Sequence, residues 1–282
     1  MAEKKEGVVL KAAPKNEKEA VSAGISPAQA EVNDLVQKGL KALADFANFD
    51  QEKIDFIVAK MSVAGLDHHG DLARKAIEET KRGIFEDKAT KNLFACEYVV
   101  NNMRHTKTVG VIKEDPVEGI TEIAEPVGVV CGITPVTNPT ATVLFKSLIC
   151  IKTRNPVIFA FHPKAQESSK AAAIVMRDAA IAAGAPENCI QWVEHPSMEA
   201  TDALMNHPGI STILATGGNA MVKAAYSCGK PALGVGAGNV PCYINETCDQ
   251  DETVNDVVLS KAFDNGMART SKPAILTPRL SS

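Results

Sequence analysis

Five short segments place residues able to do chemistry directly after apolar, β-branched runs. In the first, Ile133-Thr134-Pro135-Val136-Thr137-Asn138-Pro139-Thr140, the Asn138 amide could donate to a developing oxyanion. Asn138 followed by Pro139 is also a helix start, and residue chemistry alone favours that simpler role. In the second, Phe161-His162-Pro163-Lys164, His162 or Lys164 could bond a ribose or a phosphate, although an exposed polar loop has the same composition. The third, Glu194-His195-Pro196-Ser197, reads equally as a pocket loop or a plain turn. The fourth, Ala215-Thr216-Gly217-Gly218-Asn219, is the strongest phosphate candidate. Two glycines let the backbone approach a ligand, and the helix that follows offers unpaired N–H groups and the positive end of its dipole. An ordinary tight turn uses Gly-Gly as well. The fifth, Gly234-Val235-Gly236-Ala237-Gly238-Asn239, superficially matches G-x-G-x-x-G, but its third glycine comes one residue early. Val240 to Ile244 then reads as a strand rather than a helix, so a glycine-rich loop lining a cofactor or substrate crevice is what remains.

Other chemistries lack their residues. His68 and His69 are adjacent, with no spaced Cys/His cluster beside them, and read as solvated surface. No G-x-S-x-G elbow is present. The seven cysteines include no C-x-x-C pair and suit reduced thiols.

The elements that must position these segments follow from hydrophobic period. Residues 1–25 are rich in Lys, Glu and Ala without an apolar stripe and read as a mobile tail. From Ser26-Pro27, Val32, Leu35, Val36, Leu40, Leu43 and Phe46 recur at helical spacing. Further helices are expected from about Gln51, over about Asp71 to Lys81, and from about Lys88, making 26–118 largely helical, with a strand-like stretch at Thr108 to Lys113. Beyond Gly119, strands are expected at 126–133, 156–160, 189–193, 210–215 and 232–235, separated by helices at about 138–150, 165–183, 198–205 and 218–228. Apolar strands alternating with helices imply an α/β fold with an open parallel sheet covered on both faces, here over 119–238. Ligands then gather beyond the carboxyl ends of the strands.

With 282 residues, 45% of them hydrophobic, the chain can bury a sizeable core. Its net charge of −4 gives no basic field to draw nucleic acid or an anionic membrane, which leaves small molecules as ligands. No stretch approaches the ~20 apolar residues of a membrane span. The acidic residues Glu3, Glu6, Glu17 and Glu19 argue against a transit peptide, and a cytoplasmic protein is the expectation.

The runs PVGVVCGITPVTNPTATVLFKSL, RNPVIFAFHPKAQESSKAA, ILATGGNAMVKAAYSCGKPALGVGAGNVP and SKAFDNG occur in one order. Together they resemble the aldehyde dehydrogenase portion of bifunctional aldehyde-alcohol dehydrogenases, over roughly residues 27–267. The resemblance implies an aldehyde-dehydrogenase-like fold and an NAD-dependent, CoA-acylating acetaldehyde dehydrogenase, reversible, whose partners are a small aldehyde and coenzyme A. It also implies self-association or assembly with full-length subunits. Carried over by position, Thr137 and Asn138 are cofactor-binding, with Asn138 also the oxyanion donor, worth about 3 kcal/mol in that role. His162 falls at the adenosine ribose, Thr216, Gly217 and Gly218 at the pyrophosphate, and Gly236 in a cofactor-lining loop. Hydrolytic relatives carry a water-activating Glu where this chain has Val235, which places it in the acylating branch.

The chain departs from this family after residue 267. In the family, D-N-G-x-x is followed by the nucleophilic cysteine; here Asp264-Asn265-Gly266 leads to Arg269 at that position. Residues 239–267 would begin the catalytic domain, and 268–282 are atypical. Codons for Ala268 to Lys272, shifted by one base, permit Cys-Ser-Tyr-Glu-Gln, so a shifted reading frame, a missed intron or a gene-model error is the expected origin of residues 268–282. Hydride cannot leave an aldehyde until a nucleophile has made it tetrahedral, so the expectation is a chain without turnover, with weak NAD binding and marginal stability. The competing expectation is a non-catalytic NAD-binding or assembly fragment.

Overall fold

The computed structural model describes residues 24–236, 238, 240–267 and 273–276; residues 1–23 of the expected tail and the segment containing Arg269 lie outside them. The described residues begin with five helices. Helix α1 (Pro27–Phe46) starts at a capping box in which the Ser26 hydroxyl accepts from the Gln29 N–H and the Gln29 side chain reaches back to the Ser26 N–H. Asp50 caps α2 (Gln51–Asp67) by accepting from Lys53 N–H at 2.8 Å. Helices α3 (His69–Thr80), α4 (Phe85–Cys96) and α5 (Tyr98–Met103) follow. His68 and His69 sit at the α2–α3 junction, each ring Nδ1 bonded to a carbonyl of α2.

The strand-like stretch becomes β1 (Gly110–Asp115), paired antiparallel with β2 (Ile120–Ala124) in a two-stranded sheet of its own. Strand β2 is not among the strands expected from the sequence. Its apolar residues are exposed, so it lacks the buried β-branched run that marks the others.

The remaining elements form the parallel sheet. Strands β3 (Val129–Ile133), β4 (Val157–Ala160), β5 (Ile190–Trp192), β6 (Ile210–Thr216) and β7 (Ala232–Val235) are ordered β5-β4-β3-β6-β7, all parallel. Helix α6 (Pro139–Lys152) connects β3 to β4, α7 (Gln166–Ala182) connects β4 to β5, α8 (Met198–Asn206) connects β5 to β6, and α9 (Asn219–Ser227) connects β6 to β7. Every residue of β3 and β4 is buried, as a doubly covered sheet requires.

The strand period of two divides the core. Val130, Val157, Phe159 and Ile190 face a cluster with Ile54, Ile57 and Met61 of α2, Leu144 and Leu148 of α6, and Met176 of α7. Val129, Cys131, Ile133, Ile158 and Ile213 face the opposite cluster with Val32 and Val36 of α1 and Leu204 and Met205 of α8. The N-terminal helices are therefore the cover of the sheet: α1 packs on one face and α2 with its neighbours on the other.

Beyond β7, β8 (Val240–Tyr243) pairs in parallel with β9 (Pro273–Leu276), and α10 (Gln250–Ala262) lies between them in sequence with no buried residue. Among the described residues, no helix is long and apolar enough to cross a membrane, and no group of three His, Cys, Asp or Glu residues could hold a metal ion.

Candidate active site

After β3 the chain crosses to β4 and β5 on one side, then returns to place β6 and β7 on the other. The loops that follow β3 and β6 therefore part at the carboxyl edge, the place where an open α/β sheet has a crevice. A cavity of about 830 Å³ lies there. It draws its lining from the first four sequence segments: Thr137, His162, Ser197, Gly217 and Gly218 all face it. Met198, Met205 and Met221 give it an apolar end, and Gly266 and Met267 close it beside Thr137.

Asn138 sits at the start of α6 with Pro139 in the first turn, and its carbonyl accepts the first helical bond from Thr142 N–H. Its side chain makes no capping bond. Instead Nδ2 donates to Met267 O at 3.0 Å and to Thr137 Oγ1 at 3.4 Å, while Oδ1 accepts from Lys91 Nζ at 2.9 Å. The amide is thus held at the edge of the cavity, next to lining residues, with its donor turned toward the Phe263–Gly266 turn.

That turn is fixed by a cluster the sequence did not reveal. Asp264, fully buried and left-handed at φ 49°, accepts from Lys91 at 2.5 Å, Lys88 at 3.1 Å and Ile84 N–H at 2.9 Å. Its own N–H donates to Asp87 at 2.6 Å. Lys88 also donates to Thr137 O at 2.9 Å. Burial pulls the Lys91 ammonium below the ordinary lysine value, against the hydrogen bond it donates to Asp264, which raises it. Lys88 and Lys91 are three apart and so share a face of α4, which was legible in the sequence. Their partner Asp264 lies 173 residues from Lys91, which was not.

His162 lies two residues after β4 and caps the Pro163–Ala165 turn, its Nδ1 accepting from Lys164 N–H at 3.1 Å, which leaves Nε2 to carry the proton of the neutral ring. Burial, then the charges of Lys164 and Arg82, push its pKa below the ordinary histidine value. Lys164 is exposed and, unlike Arg82, does not line the cavity. In the third segment Ser197 caps α8 by accepting from Ala200 N–H at 3.0 Å, and Glu194 pairs with Lys170 and accepts from Trp192 Nε1.

Gly218 is the cap residue of α9, at φ −67° and ψ 161°, and a Cβ built on it would meet nothing within 4 Å. Gly218 and, from α9, Ala220 and Met221 line the cavity, so the N-terminal turn of α9 faces it. Thr216 ends β6 and is not part of the lining. Gly236 is not part of it either; a Cβ there would lie 3.0 Å from Asn219 Oδ1, although Gly238 of the same loop does line the cavity.

No described cysteine lines the cavity. Burial pushes the thiols of Cys96, Cys131, Cys150 and Cys189 up to about 12, which keeps them protonated and non-nucleophilic near neutrality.

The Aldehyde dehydrogenase family model matches residues 3–276. The chain is 70% identical over 249 residues to "Aldehyde-alcohol dehydrogenase" of Streptococcus pneumoniae, covering 88% of this chain and 28% of that protein. It therefore spans little more than a quarter of that relative's length. Among solved structures it is similar to an acetylating aldehyde dehydrogenase from Geobacillus thermoglucosidasius, with a TM-score of 0.86, 44% identity, and coverage of 89% of this chain and 56% of that one. It is also similar to a Rhodopseudomonas palustris propionaldehyde dehydrogenase with bound propionyl-CoA, with a TM-score of 0.77, 32% identity, and coverage of 87% and 54%. The family match over nearly the whole chain and these likenesses settle the family: the chain belongs to the aldehyde dehydrogenases.

Proposed function

We propose that this chain is the NAD-binding part of a CoA-acylating acetaldehyde dehydrogenase, one that converts aldehyde, CoA and NAD to acyl-CoA and NADH and back. The observation that carries this reading is the meeting, in one crevice at the switch point of the sheet, of Gly217 and Gly218, His162, and the Thr137–Asn138 loop. In this reading the α9 N-terminus takes the pyrophosphate on its N–H groups, and the His162 Nε2–H donates to a ribose hydroxyl. The methionine-lined end accommodates an apolar ring face. When bound, the nicotinamide supplies the hydride acceptor. Asn138 Nδ2 would exchange its bond to Met267 O for one to the oxyanion of the attacked carbonyl. Val235, where hydrolytic enzymes need a general base, leaves a thioester to CoA.

Covalent capture requires a thiolate beside the nicotinamide. Arg269 stands at the expected position in sequence, outside the described residues, and the buried thiols are unreactive. The expected behaviour is NADH binding without turnover. Two measurements on the purified chain check it: NADH fluorescence titration, and absorbance at the NADH band with acetaldehyde, CoA and NAD. Steady NADH formation would overturn the placement of the missing thiol. A chain that binds no NADH would overturn the cofactor reading.

A further inference from the structure

The cluster around Asp264 does more than bury a turn. Lys91 reaches two separate segments at once: the Asn138 amide oxygen at 2.9 Å and the Asp264 carboxylate at 2.5 Å. An ammonium has donors only, so it can face the oxygen of an amide and never its nitrogen. Asn138 is thereby compelled to present Oδ1 to α4 and to turn Nδ2 the other way, toward Met267 at the wall of the cavity.

We propose that Lys91 is a positioning residue, a clamp that sets which way the Asn138 amide points and ties it to the Phe263–Gly266 turn. The surrounding bonds separate this task from folding. Asp264 keeps Lys88 at 3.1 Å and Ile84 N–H at 2.9 Å if Lys91 is removed, so its charge stays paired and the turn stays docked. The Gly83–Ile84 corner accommodates it only because Gly83, at φ +77°, has no Cβ; one built there would lie 1.9 Å from Asp264 Oδ1. Asn138 Oδ1, by contrast, accepts its one side-chain ammonium bond from Lys91, and without it only the Nδ2 bonds to Met267 O at 3.0 Å and Thr137 Oγ1 at 3.4 Å hold the amide. Lys88 serves the neighbouring main chain instead, through Thr137 O. The two lysines of α4 thus hold adjacent parts of the loop after β3: one its backbone, the other its amide.

The catalytic meaning of the clamp rests on the reading of Asn138 as the oxyanion donor; the clamp itself is a matter of side-chain orientation and is tested without turnover. The full chain labelled with 15N-asparagine gives the Asn138 side-chain amide signals, assigned by their loss in Asn138→Ser. The unsubstituted chain is expected to show two non-equivalent Nδ2 protons protected from solvent exchange. In Lys91→Met these are expected to shift and to exchange about tenfold faster or more, the loss of one charge-assisted bond, with the melting temperature little changed. Lys91→Arg, again a donor-only cation, is expected to restore them. Asn138 signals that Lys91→Met leaves unmoved would overturn the proposal. So would unprotected Nδ2 protons in the unsubstituted chain, a result that stands even if Lys91→Met does not fold. NADH titration of the same samples judges the cofactor reading separately: no binding with a protected, Lys91-dependent amide sinks that reading and leaves the clamp standing.

Discussion

Gly218 shows how a single residue can separate folding from binding. It has ordinary backbone angles and open space around it, so a side chain there need not strain the fold. Asp is a better helix cap than Gly by a few tenths of a kcal/mol, so Gly218→Asp is expected to hold or slightly raise the melting temperature. The same carboxylate would stand where a pyrophosphate should lie and weaken NADH binding at least about tenfold. Gly236→Ala, off the cavity, is expected to leave affinity unchanged; the reverse result would move the phosphate site to the Gly234–Gly238 loop. Histidine ionisation belongs to this scale too. His162 and His207 each accept a main-chain N–H at Nδ1 and are held below the ordinary histidine value, His207 by burial and then by Lys230. A depressed value means that the unfolded chain takes up the proton first. Their contribution to stability is therefore complete above pH 6.5 and lost as pH falls below it. Urea midpoints measured from pH 7.5 to 5.5 are expected to fall on the acid side, and less so in His207→Gln.

Between elements, close approach sets the geometry. Gly65 on α2 lies against Cys96 at the end of α4, and a Cβ at residue 65 would stand 2.4 Å from the Cys96 sulfur. Alanine in a helix interior ordinarily gains about 1 kcal/mol over glycine. Here overpacking, about 1–3 kcal/mol, opposes that gain and wins. Gly65→Ala is expected to lower stability by about 1 kcal/mol in urea denaturation. Cys96→Ala added to it should recover part of the loss, a coupling that independent sites would not show. Lys146 acts in the same way across the sheet: wholly buried, it rises from α6 to donate to Ile133 O at 2.7 Å and Leu214 O at 2.6 Å. It stitches the ends of β3 and β6 together beneath the crevice.

Over the whole molecule, burial is uneven. The core lies on the two faces of the five-stranded sheet, whereas the described chain from β7 onward exposes Leu233, Val235, Val240, Tyr243, Val254, Val258 and Leu259. Helix α10 has no buried residue, and three of its apolar side chains, Val254, Val258 and Leu259, are 56% to 62% exposed. Contiguous apolar surface of this kind binds hydrophobic dyes. Replacing Val254, Val258 and Leu259 together with lysine is expected to change unfolding free energy by less than about 0.5 kcal/mol, since nothing buried is lost. Anilinonaphthalene sulfonate fluorescence should fall in the same variant. A large loss of stability would mean that α10 packs against something it does not touch here.

The sequence by itself determined the strands of the five-stranded sheet and the helices between them, because apolar, β-branched runs alternate there with stretches of helical period. Strand β2 escaped this reading because its exposed residues carry no burial pattern. Residue chemistry in the sequence favoured Asn138 as a helix cap over a donor, although both roles use the same residue before the same proline. Only the tertiary structure decided that the amide makes no cap and turns instead between Lys91 and Met267. The reason is distance along the chain: residues three or four apart meet by helical geometry alone, while Lys91 and Asp264, 173 apart, meet only when the sheet and its covering helices have closed.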